Sequence, residues 1–294
     1  MLRSAFRFLL GVTALVLALG FEEADAQACC AGAAAGQLGR LTLHEEALVG
    51  LGFRAERTLG AFGDDATFRA TEAEAFQFEQ SLLGTLRVGQ ALQLGAVIPL
   101  VQSYARTAWE QGFGGGLGDI QLHARYDFTF AGQSLRIPGI ALFGGLGLPT
   151  GRPLESTMHP LGVEATGTGR MRAWGGLGLE QSHGMAFGQI MGSLIYDGPR
   201  SAKGMEFEGR WGASASLSLG ASLPVDFTVA LSAVYEVEPR SERRGWRYGV
   251  AAGYPVFIDW RLQAGLFTDA PIDGFGRNQN AQIGLHLALL RIWT

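Results

Sequence analysis

Short runs of alternating apolar and polar residues fill this chain from residue 47 onward, and they constrain its fold more than any other feature. Ile120, Leu122 and Ala124, for example, alternate with Gln121 and His123. Because successive side chains of a β-strand point to opposite faces, a period of two predicts strands with one apolar and one polar face. Twelve such runs occur, at 47–57, 75–88, 91–104, 118–130, 135–148, 170–181, 185–197, 206–219, 225–238, 245–254, 258–268 and 281–293.

The length of these runs and the composition together indicate a membrane barrel. Each run has about 10 to 14 residues, which a tilted strand needs to cross a bilayer, whereas strands of soluble proteins have about five or six. Of the 294 residues, 47% are hydrophobic, 17% are charged and 44 are glycine. No apolar stretch reaches the length of a membrane-spanning helix. The sequence therefore predicts an all-β fold, a transmembrane antiparallel up-and-down β-barrel of about 12 strands over residues 47–294.

The gaps between the runs alternate in length, which predicts an orientation. Long gaps follow the odd runs, at 58–74, 105–117, 149–169, 198–205, 239–244 and 269–280. Short gaps follow the even runs, at 89–90, 131–134, 182–184, 220–224 and 255–257. Bacterial outer-membrane barrels have long extracellular loops and short periplasmic turns. The pattern predicts a protein of a Gram-negative outer membrane with both termini in the periplasm.

The first 46 residues differ from the rest. Arg3 and Arg7 precede an apolar core at 8–20, and Ala24-Asp25-Ala26 follows, so residues 1–26 are predicted to be a secretory signal peptide. Residues 27–46 are predicted to be a periplasmic N-terminal segment or a plug inside the barrel. The pair Cys29 and Cys30 leaves lipidation, a disulfide and free thiols open.

The polar faces of the runs carry charged and imidazole side chains of both signs. The candidates for lining the lumen are Glu79, Arg87, His123, Arg125, Asp127, Glu208, Arg210, Glu236, Arg247, Arg261 and His286. Such residues can pair across strands and fill a narrow barrel, or they can form a polar constriction for solutes. Apolar residues on the same faces, among them Leu83, Phe143 and Phe267, predict a partly plugged lumen or one that tolerates hydrophobic solutes.

Signatures of other functions are weak. No two histidines are spaced as metal ligands on one element, and no motif links a serine to a histidine. The glycine-rich stretch 112–118 lacks the lysine and the helix of a phosphate-binding loop and is predicted to be a flexible extracellular loop. We therefore predict no enzyme and no catalytic, metal or cofactor-binding residue. A single lysine, Lys203, and the lack of a basic run predict no nucleic-acid partner.

Two short motifs carry a family resemblance. Gly118-Asp119 opens a strand that reaches Arg125-Tyr126, and the next strand closes on Pro149-Thr150-Gly151. This arrangement resembles the phenol-degradation-associated (MetA-pathway) outer-membrane transporter family, which is distantly similar to long-chain fatty-acid channels. The resemblance implies a barrel that carries small, often hydrophobic or aromatic compounds inward, and it transfers no site residues. From the residues alone, Asp119 is suited to cap a turn through side-chain hydrogen bonds.

These observations predict an outer-membrane channel for passive uptake of small solutes, including hydrophobic or aromatic ones. The predicted partners are outer-membrane lipid, small-molecule solutes and the barrel-insertion machinery, and the oligomeric state stays open. The alternative is a structural or adhesive barrel with a filled lumen that acts through its extracellular loops. Pro99 lies inside the third run and cannot donate a ladder hydrogen bond, which predicts a kink or bulge there.

Overall fold

The structure, a computed structural model, describes residues 39–134, 136–224, 227–238 and 242–294. The predicted signal peptide (1–26), Cys29 and Cys30 lie outside the described residues. The strands are β1 Ala47–Phe62, β2 Phe68–Ala70, β3 Glu74–Val88, β4 Leu92–Arg106, β5 Gln111–Leu117, β6 Ile120–Thr129, β7 Gly139–Leu148, β8 Arg172–His183, β9 Ala186–Asp197, β10 Arg200–Ala202, β11 Met205–Phe207, β12 Arg210–Ser222, β13 Thr228–Glu238, β14 Arg243–Phe257, β15 Trp260–Asp269, β16 Gly276–Arg277 and β17 Gln279–Trp293. One 3-10 turn covers Leu154–Ser156. Over the described ranges, no helix is long and apolar enough to cross a membrane.

The wall is a closed ring of antiparallel strands. Around the ring the order is β1, β3, β4, β6, β7, β8, β9, β12, β13, β14, β15 and β17. The ring closes where β1 pairs with β17 from Ala47 opposite Trp293 to Phe62 opposite Gln279. β5 and β6 pair with successive parts of β4, so β5 continues the line of β6 toward the end of the barrel where β4 meets β5. The short strands β2, β10, β11 and β16 lie in the connections between the ring strands. The prediction of an all-β, twelve-stranded antiparallel barrel is confirmed.

The two ends of the barrel differ in their connections. At the short-turn end the connections include 89–91, 184–185 and 258–259, and at the long-loop end they include 63–73, 149–171 and 198–209. The predicted alternation of long and short gaps is not strict. Only residues 107–110 join β4 to β5 at the long-loop end, whereas 130–138 join β6 to β7 at the other end. The discrepancy arises because β4 and β5 continue past the neighbouring strands as a hairpin.

The glycine-rich stretch 112–118 corrects a prediction. It is not a loop, because residues 111–117 form β5 and pair with β4 from Leu100 opposite Leu117 to Arg106 opposite Gln111. Between β5 and β6, which both pair with β4, the strand is interrupted at Gly118 and Asp119. This interruption lies across from Pro99, whose carbonyl accepts a hydrogen bond from the Gly118 N–H at 2.8 Å. The irregularity predicted at Pro99 thus occurs in its partner strand, while β4 itself is continuous.

The two faces of the wall have opposite chemistry. Outward positions carry exposed aliphatic side chains such as Leu51 (65% exposed), Leu194 (61%) and Leu231 (55%). So much apolar surface is unfavourable in water and favourable against lipid. Aromatic pairs lie near both ends of the outer face, Tyr196–Trp211 at the long-loop end and Tyr126–Phe128 at the short-turn end. The outer face therefore has the apolar band and aromatic girdles of a membrane barrel.

Inward glycines make room for rings on the neighbouring strands. In each case a large ring lies directly opposite a glycine and rests on it, as Trp174 does on Gly145. The pairs are Trp174–Gly145, Phe143–Gly176, His123–Gly95, Phe187–Gly220, Phe267–Gly284 and His286–Gly265. A Cβ atom at Gly145 would overlap the Trp174 indole. The high glycine content therefore lets bulky rings lie flat against the wall, a known device in β-sheets.

We expect Gly145→Ala to destabilise the barrel by about 1–3 kcal/mol, because the added methyl group collides with Trp174 and overpacks the interior. The matched control is Gly175→Ala on the outer face, where the nearest atom to the added Cβ is the Phe143 carbonyl oxygen at 3.8 Å. The temperature at which the folded band disappears on a heat-modifiability gel measures the effect. Equal midpoints for the two variants would contradict the packing role of Gly145.

Candidate functional site: the barrel lumen

Residues 39–46 lie inside the barrel at the short-turn end. The Leu41 N–H donates to the Gln93 side chain at 3.1 Å. Arg87 donates to the Thr42 carbonyl at 2.5 Å and to the Glu45 carbonyl at 3.0 Å. Arg261, on the other side of β1, bonds the Glu45 carboxylate at 2.5 Å. These contacts to β3, β4 and β15 hold the segment within the ring; we call residues 39–46 the inner segment.

The inner segment completes a buried charge cluster. Arg125 pairs with Asp127 at 2.8 Å and with Glu180 at 3.5 Å, and Gln93 bonds the second oxygen of Asp127 at 2.9 Å. The wall thus presents two buried acids to one arginine. Arg40 of the inner segment pairs with Glu180 through both of its terminal nitrogens. Because a buried charge is costly when it lacks a partner, Arg40 stabilises the cluster by balancing it.

An apolar cluster holds the other side of the inner segment. Leu41 is 1% exposed and packs with residues of β1, β3 and β17. The cluster comprises Leu41, Leu48, Leu83, Ala288, Leu290 and Ile292, with Val97 against it. Full burial of a leucine side chain contributes roughly 1.5–3 kcal/mol. The main apolar core of this barrel therefore lies in its lumen, and a residue outside the wall strands forms part of it.

Nearer the long-loop end, ion pairs run around much of the inner wall. Arg172 makes a two-point contact with Asp197, at 2.6 and 3.1 Å, and Arg210 bonds the same carboxylate at 3.1 Å. Glu238 forms ion pairs with Arg210 at 3.3 Å and with Arg243 at 3.8 Å. A further set of contacts continues this series of ion pairs around the wall to β1. We call both sets together the ion-pair belt. That further set comprises Arg247–Asp269, Arg247–Gln282, Gln282–Glu56 and Arg54–Glu56.

The remaining candidates lie between the buried cluster and the belt. His123 approaches the Thr85 hydroxyl at 3.4 Å, and His286 lies opposite Arg54. Glu79 lies opposite Arg54 on the other flank of β1. Phe267 is 7% exposed, with the Arg54 guanidinium 4.8 Å and the Arg247 guanidinium 5.0 Å from its ring centre. The middle of the lumen is thus lined by rings and arginines.

Three neighbouring cavities open at the level of the belt. The first, of about 320 Å³, is lined by Phe143, Trp174 and Ile195 together with Arg170 and Arg172; we call it the Trp174 cavity. The second, of about 130 Å³, shares Arg172 and Ile195 with the first. The third, of about 280 Å³, is lined by Glu236, Asp269, Arg243 and Arg247; we call it the Glu236 cavity. Shared lining residues make the three a continuous vestibule at the long-loop end.

The loop 149–171 folds against the inner face of β5. Gly112, Gly114, Gly116 and Gly118 alternate along that face, and Cβ atoms at Gly112 and Gly114 would meet His159 and the Val163 backbone. Val163 is 2% exposed. The Met158 N–H donates to the Glu164 carboxylate at 2.7 Å, and this bond lowers the pKa of Glu164. The contact is therefore present above the ordinary pKa of a glutamate and is lost as the pH falls through the lowered value.

The two family-like motifs meet at this loop. The Asp119 carboxylate accepts hydrogen bonds from the Gly151 N–H at 3.0 Å and from the Thr168 N–H at 2.7 Å. The Thr150 hydroxyl donates to the Gly118 carbonyl at 2.6 Å and accepts from the Ile120 N–H at 3.0 Å. Gly118-Asp119 and Thr150-Gly151 therefore form a latch that fixes both ends of the loop to the break between β5 and β6. The capping role considered for Asp119 is the one that the structure shows.

Among the predicted lumen residues, Glu208 is misplaced. It lies before β12, outside the wall strands, where it is exposed and its carbonyl accepts a hydrogen bond from Arg170 at 3.0 Å. The run predicted at 206–219 instead begins at Arg210, so the alternation was extended too far. The other predicted lumen residues lie on inward faces at three levels: at the inner segment and the buried cluster, in the middle of the lumen, and at the ion-pair belt and its cavities.

Sequence reasoning missed several residues of the vestibule. Arg172 and Trp174 are absent from the candidates because the sixth run is rich in glycine and its alternation is weak, and Asp197 is absent because the seventh run is apolar on both faces. Glu180, on the same strand as Arg172 and Trp174, fixes which residues of that strand face inward. Counting back from it in steps of two assigns Trp174 and Arg172 to the inward face, where the structure has them.

Comparisons with known proteins support the fold. A scan of protein families and a search of curated proteins each found no match. Among solved structures, the chain is similar to the COG4313 outer membrane channel from Pseudomonas putida F1, with a TM-score of 0.70 and 14% identity over 88% of this chain and 98% of that chain. The chain is also similar to the translocator domain of autotransporter NalP from Neisseria meningitidis, with a TM-score of 0.51 and 12% identity over 89% of this chain and 92% of that chain. The similarity to the NanC porin has a TM-score of 0.50 and 8% identity, over 83% of this chain and 100% of that chain.

The chain therefore has the fold of an outer-membrane β-barrel. The low identities show the fold and no more, so the resemblance to phenol-degradation-associated transporters stays a prediction. Within the described ranges, no group of three histidine, cysteine or acidic side chains could hold a metal ion.

We expect Asp119→Ala to release the loop 149–171, because it removes the acceptor of two backbone N–H groups and of the Thr168 hydroxyl. A glutamyl endopeptidase should then cleave after Glu155 and Glu164 roughly tenfold faster, as the loss of charge-assisted hydrogen bonds allows more frequent opening of the loop. The control is Asp64→Ala, an exposed acid in the loop 63–73. Equal cleavage rates in purified, detergent-solubilised protein would show that Asp119 does not hold the loop.

Proposed function

We propose that this protein is an outer-membrane channel for the passive passage of small solutes, with room for hydrophobic or aromatic ones. The observation that carries the proposal is the continuous vestibule at the level of the ion-pair belt. Fixed charges of both signs face it, alongside Phe143, Trp174 and Ile195. A barrel that served only as a scaffold would gain stability by filling this space, whereas a solute needs it open.

The inner segment is the gate in this proposal. It lies across the lumen below the vestibule, held by Leu41 in the apolar cluster and by Arg40 at Glu180. Net hydrogen bonds contribute about 1 kcal/mol each, and salt bridges with buried partners are costly to break one at a time. The segment therefore leaves as a unit when several contacts are lost together. This makes the resting conductance low and its increase dependent on displacement of residues 39–46.

The alternative is a structural or adhesive barrel with a filled lumen that acts through its loops. The apolar cluster around Leu41 fits that interpretation for the short-turn end alone. The vestibule at the long-loop end does not fit it. Conductance measurements on variants of the inner segment distinguish the two functions.

We expect Leu41→Asp to raise single-channel conductance in planar bilayers several-fold over the wild type. A carboxylate cannot remain unpaired in the apolar cluster, so the inner segment leaves the lumen. His44→Asp is the control, because His44 is exposed on the same segment and its substitution should leave conductance unchanged. A variant that lacks residues 27–45 and retains 1–26 should match Leu41→Asp. If both variants keep the heat-modifiable mobility of a folded barrel and neither conducts, the channel proposal is wrong and the filled barrel is favoured.

The proposal also places the long-loop end outside the cell and both termini in the periplasm. Ser201→Cys lies in an exposed hairpin of the long-loop end and Gln90→Cys lies in a short turn. In a C29S/C30S background, a bulky polyethylene-glycol maleimide should label only Ser201→Cys on intact cells. Gln90→Cys should be labelled only after the outer membrane is permeabilised. The reverse pattern would invert the orientation without affecting the barrel.

A further inference from the structure

We infer that the Trp174 cavity is a binding subsite for small aromatic carboxylates. The inference rests on the proposed channel function and narrows its solute class. It joins two features that occur together at one place in the vestibule, an aromatic wall and a cluster of arginines.

The apolar half of the subsite is built by three neighbouring strands. Trp174 on β8 lies directly opposite Ile195 on β9, and Phe143 on β7 lies one pair farther down, opposite Gly176. Both rings rest on inward glycines, so their free faces line the cavity and not the wall. Offset stacking on such rings favours a planar aromatic solute by about 0.5–1.5 kcal/mol beyond its buried area. The cavity volume of about 320 Å³ is at the small end of ligand pockets.

The basic half lies directly above. Arg172 uses Nε and Nη2 to hold Asp197, its side chain is 40% exposed, and no hydrogen bond of Nη1 is seen among the described residues. Asp197 is shared with Arg210, which Glu238 also contacts at 3.3 Å, so Asp197 takes part in two ion pairs. Arg170 adds a third arginine, whose Nη1 bonds the carbonyl of Glu208 at 3.0 Å. A solute carboxylate would meet the guanidinium groups of Arg170 and Arg172 at this corner, beside the ring of Trp174.

The acidic residue of the cavity already has hydrogen-bond partners outside the arginine cluster. Asp119 lines the cavity, but both of its oxygens accept hydrogen bonds within the latch. Gln121, Ser193 and Ser214 complete the lining as neutral donors and acceptors. The corner therefore combines positive charge, uncharged polar groups and two rings.

The other large cavity of the vestibule provides an internal contrast. Glu236 and Asp269 balance Arg243 and Arg247 in the Glu236 cavity, and amide side chains such as Asn280 and Gln282 fill most of its remaining lining. Its arginines and acids are equal in number, and its one aromatic lining residue, Trp246, alternates with the inward Arg247 and stacks on Tyr248. The same solute should therefore distinguish the two sides of the vestibule.

The test is a calorimetric titration of detergent-solubilised full-length protein with sodium benzoate. Cyclohexanecarboxylate keeps the charge and loses the aromatic face, and benzamide keeps the ring and loses the charge. Benzoate should bind at least about fivefold more tightly than either. Arg172→Gln should weaken benzoate about tenfold, the scale of a lost charged hydrogen bond. Trp174→Leu should weaken benzoate about threefold to tenfold and remove its advantage over cyclohexanecarboxylate.

Arg243→Gln is the matched control for Arg172→Gln. In each variant the acid that loses an arginine keeps Arg210 as its partner, so the local damage is alike. Benzoate affinity should change less than twofold in Arg243→Gln. Phe267→Leu serves as the control for Trp174→Leu, because Phe267 lies elsewhere in the lumen between two arginines.

Two results would overturn the subsite. One is equal affinity for the three probes, and the other is an equal loss of benzoate binding in Arg172→Gln and Arg243→Gln, which would reveal a general effect of lumen charge. Failure of the channel itself has a separate readout. The variant lacking residues 27–45 is recorded in potassium chloride without benzoate, so a conducting barrel that ignores benzoate refutes the subsite alone.

Discussion

A membrane offers no water to the peptide backbone, and the closure of β1 onto β17 answers this constraint for the whole structure. Each of the twelve strands in the ring has a partner on both sides, so the ring has no open edge. Closure also creates an interior, and a ring of twelve strands is too wide to be filled by its own side chains alone. The chain fills the short-turn end with residues 39–46 and leaves the long-loop end open. The vestibule and its gate both follow from that division.

Glycine solves the packing problem that closure creates. Large inward rings would collide with one another across neighbouring strands if each faced another side chain. Opposite Trp174, Phe143 and Phe267 the wall instead has glycine, and the rings lie flat. The alternating glycines of β5 do the same for a whole segment of backbone, because they let the loop 149–171 approach the inner face of the hairpin. The composition of the chain and the shape of its lumen thus have one physical cause.

Charge is organised by depth. Near the short-turn end Asp127, Glu180 and Arg125 are buried and need Arg40 from the inner segment, so charge balance there depends on the gate. Near the long-loop end the ion-pair belt is self-sufficient and partly exposed. Its acids, such as Asp197 and Asp269, are buried, whereas the arginines that hold them are about one-third exposed. The structural effect of these pairs is to hold guanidinium groups at fixed positions around the vestibule, where a charged solute would meet them.

The barrel follows directly from the pattern of residues along the chain. The period of two and the strand lengths depend only on local backbone geometry and on the bilayer, so the fold class, the number of strands and most inward faces could be predicted. The same periodicity failed where a strand lacks side chains, at 112–118 and around Trp174, and where it ran into a loop, at Glu208. Only the tertiary structure decided which charges meet. Arg40 reaches Glu180 across 140 positions of the chain, and Asp119 binds a loop that begins thirty residues later, because closure brings distant strands to one depth. The alternation of residues within a strand does not show which residues of distant strands lie at the same level of the lumen.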